Sequence, residues 1–93
     1  MATYTVNRAK HATLVALIVD TVNFNRDAAT LVVTNRGTSA DIFVRLDGTA
    51  PVINGDDNYV VPPGQTRDFG PANTEVPQIK LISAGLPAYS VEL

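Results

Sequence analysis

Apolar and polar positions alternate along most of this chain with a period of two, in short runs broken by Gly, Pro, Asn and Asp. That period belongs to strands with one buried face. Residues 3–6 form a first short run. Residues 13–19 form a second, apolar at almost every position, as in a strand covered on both faces. Residues 21–24 continue it past Asp20, with Val22 and Phe24 alternating against Thr21 and Asn23. A helix over 12–22 is the rival reading. The β-branched density at Thr13, Val15, Ile18, Val19, Thr21 and Val22 favours the strand.

Residues 30–34 give a further strand, and 35–39 read as a hairpin loop in which Gly37 can take a positive φ. In residues 41–46 the Ile42, Val44 and Leu46 side faces the core. Phe43 is then left beside Asp41 and Arg45, at a sheet edge or on a contact surface. Residues 47–58 are the longest aperiodic stretch, of a length that often marks a functional or mobile loop. Residues 59–61 form a strand stopped by Pro62, Pro63 and Gly64. Short strands follow at 66–69, 78–82 and 88–93, with loops at 70–74 and 84–87. Tyr89, Val91 and Leu93 share one face of the last strand.

Seven to eight short strands at this spacing, with turn residues between them and no capped helical stripe, predict an all-β fold. The architecture they suit is an antiparallel β-sandwich of immunoglobulin-like or jelly-roll type. Strand order is left open by spacing alone. Residues 1–11 read as an extended N-terminal arm or first edge strand, and residues 12–93 as a single domain.

Composition sharpens this picture. A domain of 93 residues buries only about 60–65% of the surface its unfolded chain exposes. The chain has no cysteine, so no disulfide supports the thin core. Binding to a partner or to other copies would supply the missing burial. The run at 14–19 carries more apolar positions than a small sandwich covers from one side, so one of its faces is expected to meet another subunit. That run is also too short for a membrane span and does not form a secretory signal, which points to a soluble protein.

Charge and motifs argue against most chemistry. The net charge of −2 is spread along the chain, unlike the basic face of a nucleic-acid binder. Arg8, Lys10 and His11 are the only basic cluster and read as a solvated segment. The single histidine, His11, sits near the N-terminus, no serine lies in a Gly-x-Ser-x-Gly turn, and no phosphate-cradling glycine loop occurs. No enzyme, no cofactor and no metal are expected. Asp47, Asn54, Asp56, Asp57 and Asn58 gather oxygen donors in one loop, but their spacing is not that of a calcium loop. Turn formation explains them better. Tyr59 and Phe43 could serve a sugar, although packing is the simpler role for both.

Three stretches resemble small structural proteins of tailed phages that infect actinobacteria. The first is Tyr4-Thr5-Val6-Asn7-Arg8-Ala9-Lys10-His11-Ala12-Thr13-Leu14 followed by Val19-Asp20-Thr21-Val22. The second runs from Val33-Thr34-Asn35-Arg36-Gly37 into Ile42-Phe43-Val44-Arg45-Leu46-Asp47-Gly48-Thr49-Ala50-Pro51. The third joins Tyr59-Val60-Val61-Pro62 to residues 76–83 and Gly85-Leu86-Pro87-Ala88-Tyr89-Ser90-Val91. The resemblance implies a non-enzymatic virion protein, made in the host cytoplasm and placed on the capsid surface. It would be a capsid decoration protein that docks on the major capsid protein and on copies of itself, a trimer being one form. The apolar stretch at 14–19 departs from the Thr-rich one expected there.

Under that implication, the residues expected to meet the shell or a neighbouring subunit are Tyr4, Val6, Arg8, Lys10, His11, Val15, Leu17 and Phe43. The exposed-loop candidates are Asp47, Asn54, Asp56, Asp57 and Tyr59. The alternatives are a small ligand- or carbohydrate-binding adhesion module, and a minor tail or connector protein.

Overall fold

The computed structural model describes residues 2–26, 30–69 and 78–93. Among these lie nine strands and no helix: β1 (Ala2–Val6), β2 (Ala9–Thr13), β3 (Asp20–Phe24), β4 (Val32–Asn35), β5 (Ile42–Arg45), β6 (Tyr59–Val61), β7 (Thr66–Asp68), β8 (Gln78–Ile82) and β9 (Ala88–Glu92). They form two sheets, one ordered β1-β3-β8-β5-β6 and the other β2-β9-β4-β7. The loop expected at 70–74 lies outside the described residues.

The pairing has one simple generator. Strand β2 pairs antiparallel with β9, β3 with β8, β4 with β7, and β5 with β6. This is a single long ribbon whose tip is the 46–58 loop. Successive pairs of the ribbon fall in alternate sheets, and β4–β9 and β5–β8 pairs join them side by side. That order is a jelly roll, which resolves the choice between the two expected sandwich types. Strand β1 is added outside it, parallel to β3, with Ala2 opposite Asp20 and Val6 opposite Phe24.

The core fills the space between the sheets. Val22 and Phe24 of β3, Ile42 and Val44 of β5, and Ile79 and Leu81 of β8 meet Val33 of β4 and Tyr89 and Val91 of β9. All nine have no exposed surface. Alternation in the sequence points each of these side chains inward, as the period of two requires. Fully burying one aliphatic side chain is worth about 1.5–3 kcal/mol relative to leaving it exposed.

Three sequence expectations need correction. Residues 14–19 are neither strand nor helix: they form the loop that carries the chain from β2 in one sheet to β3 in the other. Leu14 alone of that run is fully buried, while Leu17 turns the chain at a φ of 63°. Of the β-branched residues that suggested one continuous strand, Thr13 belongs to β2 and Thr21 and Val22 to β3, while Val15, Ile18 and Val19 are spent on a crossing between layers. Residues 36–41 are likewise a crossing between sheets and not a hairpin, since β4 and β5 do not pair. Phe43 is not at a sheet edge: β5 lies between β8 and β6, with Phe43 opposite Ile82 and Val60 and only 6% exposed.

Candidate functional site

The strand registers fix which loops share an end of the sandwich. Residues 14–19, 36–41, 62–65 and 83–87 lie at one end; the ribbon tip at 46–58 lies at the other. The two ends differ in chemistry.

At the first end, large apolar side chains face outward. Val15 is 58% exposed, Leu17 66%, Ile18 38% and Leu86 67%. The loops that carry them are tied together by backbone bonds. Leu14 N donates to Pro87 O at 2.9 Å, Leu17 N to Ser83 O at 2.9 Å, and Ile18 N to Val15 O at 3.1 Å. Beside them, Ala16, Gly37, Ala40, Gly85, Leu86 and Pro87 line a groove. The groove walls touch closely: a side chain at Gly85 would meet Ala40 Cβ at 2.7 Å, and one at Gly37 would meet Pro87 Cβ at 2.6 Å. Only glycine fits at those two positions. Across the four loops of this end the charged residues with exposed side chains are Arg36 and Asp41.

Buried polar groups hold this end from beneath. Asn35 has no exposed surface; its Nδ2 donates to Ala40 O at 2.8 Å and Val61 O at 2.9 Å, and its Oδ1 accepts from Gly37 N at 2.9 Å. Ser83 Oγ donates to Asp41 O at 2.6 Å. The Tyr89 hydroxyl donates to Asp20 Oδ2 at 3.0 Å, and both residues are buried. Burial first, and then the neighbouring Asp20 carboxylate, push the Tyr89 phenol well above its usual range.

The ribbon tip holds itself together locally. Arg45 pairs with Asp47 through both carboxylate oxygens, and Thr49 N donates to Asp47 Oδ1 at 3.0 Å. The hydrogen bonds from Arg45, and then that from the Thr49 amide, hold the Asp47 carboxyl well below the usual carboxylate range. The same partnership raises Arg45. Asn58 Nδ2 donates to Gly55 O at 3.1 Å. Asn54, Asp56 and Asp57 are exposed, and Asn54 and Asp57 adopt positive φ values of 56° and 64°. Tyr59, 43% exposed, meets Phe69 edge-on at 5.0 Å, with the Arg67 guanidinium 4.9 Å from its ring centre. Among the described residues no group of three or more His, Cys, Asp or Glu is placed to hold a metal ion. No helix there is long and apolar enough to cross a membrane.

The N-terminal candidates fall on two neighbouring edge strands. Tyr4 and Val6 on β1 are half-buried against the core. Lys10 on β2 places its ammonium 4.0 Å from the Tyr4 ring centre. Arg8 is exposed between the strands, with its carbonyl accepting from Leu93 N. His11 Nδ1 and Ser90 Oγ share a hydrogen bond at 2.7 Å. Residues 9–13, the first of which fall in the segment read as an extended arm or first edge strand, form edge strand β2 paired with β9.

Of the thirteen candidates, Val15 and Leu17 come together at the apolar end, and Asp47, Asp57 and Tyr59 line one depression with Arg45 and Asn58. Tyr4, Val6, Arg8, Lys10 and His11 share one flank, and Phe43 stands apart. Sequence reasoning missed Leu86, Arg36 and Asp41, and reached Ile18 only as part of the 14–19 run. Leu86 was detectable, because a large apolar residue between Gly85 and Pro87 has no strand to bury it. Comparison of the chain with protein-family models, curated proteins and solved structures finds no match.

Proposed function

We propose that this chain is a non-enzymatic structural protein of a phage virion, a decoration protein that docks on the major capsid lattice and stabilises the shell. The observation that carries this reading is the apolar end. Four large side chains there are exposed on loops pinned to the scaffold by buried hydrogen bonds, a rigid surface suited to being covered by protein. The resemblance noted from the sequence points to the same class of partner. A jelly roll serves viral capsid and lectin domains alike, so the surface and not the fold selects between them. The apolar end supports a protein that works within an assembly; the face we assign to the shell itself is the flank of β1 and β2, with Arg8, Lys10 and His11, because both strands are sheet edges open to strand addition.

The test is direct. Purified protein added to expanded, decoration-free shells of an actinobacterial phage should bind saturably and raise their thermal resistance. Absence of saturable binding would overturn the assignment. A second reading, a carbohydrate-adhesion module, is favoured by the partly exposed Tyr59 ring beside Arg45, Asp47, Asp57 and Asn58. It requires glycan-array binding that Tyr59→Ala removes.

A further inference from the structure

We propose that the apolar end is covered by a second copy of this chain, in a two-fold dimer that sets the loops at 14–19, 36–41 and 83–87 of one molecule against the same loops of the other. Of the preceding reading it uses only the premise that this end is covered; it does not depend on the virion role.

Two observations select a copy of the chain as the occupant. First, the surface is apolar over adjacent loops, so it can cover itself. The protruding Val15, Leu17 and Ile18 stand next to the groove floored by Ala40, Gly85 and Pro87. A two-fold contact about an axis across the strands sets the apolar knob of the 14–19 loop against its counterpart and each groove against the other, so that apolar surface meets apolar surface, every contact in such an interface occurring twice. Second, the surface is self-complementary in charge. Its two exposed charged residues are of opposite sign, Arg36 following β4 of one sheet and Asp41 preceding β5 of the other. A two-fold axis running across the strands between the sheets turns the β4 side of one copy toward the β5 side of its mate. Arg36 then faces Asp41 twice, and no like charges meet.

The strained turn fits the same role. Leucine seldom occupies the left-handed region, yet Leu17 is held there by its bond to Ser83 O, and the strain presents its side chain outward. Strain kept at an exposed position is characteristic of contact sites. The glycines at 37 and 85 let the loops of this end pack against Pro87 and Ala40 more closely than a Cβ would allow.

Sedimentation of the full chain over a concentration series tests this. The wild type should be a dimer, and Leu17→Asp should be a monomer with unchanged circular dichroism. Arg36→Asp and Asp41→Arg should each weaken the dimer at least about tenfold, and the double exchange should restore it, since about 1.4 kcal/mol separates each tenfold step. The chain has no cysteine, so Ala16→Cys should form a disulfide-linked dimer on mild oxidation while Asp56→Cys at the opposite end should not. A wild type that stays monomeric at high concentration, a trimer, a failed charge rescue, or cross-linking through position 56 alone would each overturn the proposal. A monomer that still binds shells would remove this inference and leave the virion role standing. A dimer that binds no shell would do the reverse.

Discussion

Both ends of the sandwich turn the chain through left-handed backbone, and they do it with different residues. At the ribbon tip the non-glycine positions are Asn54 and Asp57, at φ 56° and 64°, residues whose short polar side chains tolerate that region. At the apolar end the non-glycine position is Leu17, at φ 63°, which gains nothing locally from it. The tip is secured by bonds within itself: Arg45 to Asp47, Thr49 to Asp47 and Asn58 to Gly55. The apolar end is secured by bonds to the scaffold, through Asn35, Ser83 and the Tyr89–Asp20 pair. One end is a self-contained turn that solvent can surround. The other is a prearranged surface whose shape is fixed by the core and whose outer side chains find no cover among the described residues.

The comparison breaks most easily at Asn35. Asn35→Ala would remove three hydrogen bonds at once and leave Ala40 O, Val61 O and Gly37 N without that partner. Each unpaired buried group costs about 1–3 kcal/mol, so a loss on the order of 3 kcal/mol or more is expected by urea denaturation. If the apolar end were as self-contained as the tip, the loss would stay below about 1 kcal/mol.

Tyr89→Phe tests the same anchoring with a pH signature. Removing the hydroxyl leaves the Asp20 carboxylate short of a buried donor, at a cost of about 1–3 kcal/mol at neutral pH. The folded state holds the Tyr89 phenol protonated above its ordinary range. The stability this contributes is complete below the unfolded value near 10 and is lost as pH rises beyond it, because the unfolded chain ionises first. The gap between wild type and variant should therefore shrink above about pH 10 by up to ~1.4 kcal/mol per unit. A gap constant from pH 7 to pH 11 would show that the phenol is not held by this environment.

Much of the fold was legible because burial here follows a period of two. Val22 and Phe24, Ile42 and Val44, Tyr89 and Val91 all face inward as their alternation requires. Two features were not legible, for the same reason. Residues 14–19 and 36–41 cross between layers, and a crossing has no period of its own; an apolar crossing therefore reads as a strand. Strand order is equally hidden, because ribbon pairing joins residues as distant as His11 and Ser90. The sequence raised the excess of apolar positions at 14–19 as a contact surface. It could not show that the excess sits on a strained loop, or that Leu86 from the far end of the chain completes it.

The smallest expected effect is the most discriminating. Leu17→Gly removes the left-handed strain of about 1–2 kcal/mol and adds about 0.5–1 kcal/mol of chain entropy to the unfolded state. The side chain is 66% exposed, so little burial is lost, and the monomer should gain up to about 1 kcal/mol by chemical denaturation at low concentration. The same change at Asn54 relieves less strain, because asparagine tolerates this region, and it should be neutral or destabilising by a few tenths of a kcal/mol. Opposite signs at the two ends would mean that Leu17 is kept at a cost to the isolated fold, for the contact its side chain makes. Equal signs would mean that the left-handed leucine is as comfortable as the asparagine and that its conformation says nothing about a partner. Because Leu17→Gly also deletes the knob, the dimer should weaken while the monomer does not, a separation that a purely structural role for residue 17 would not produce.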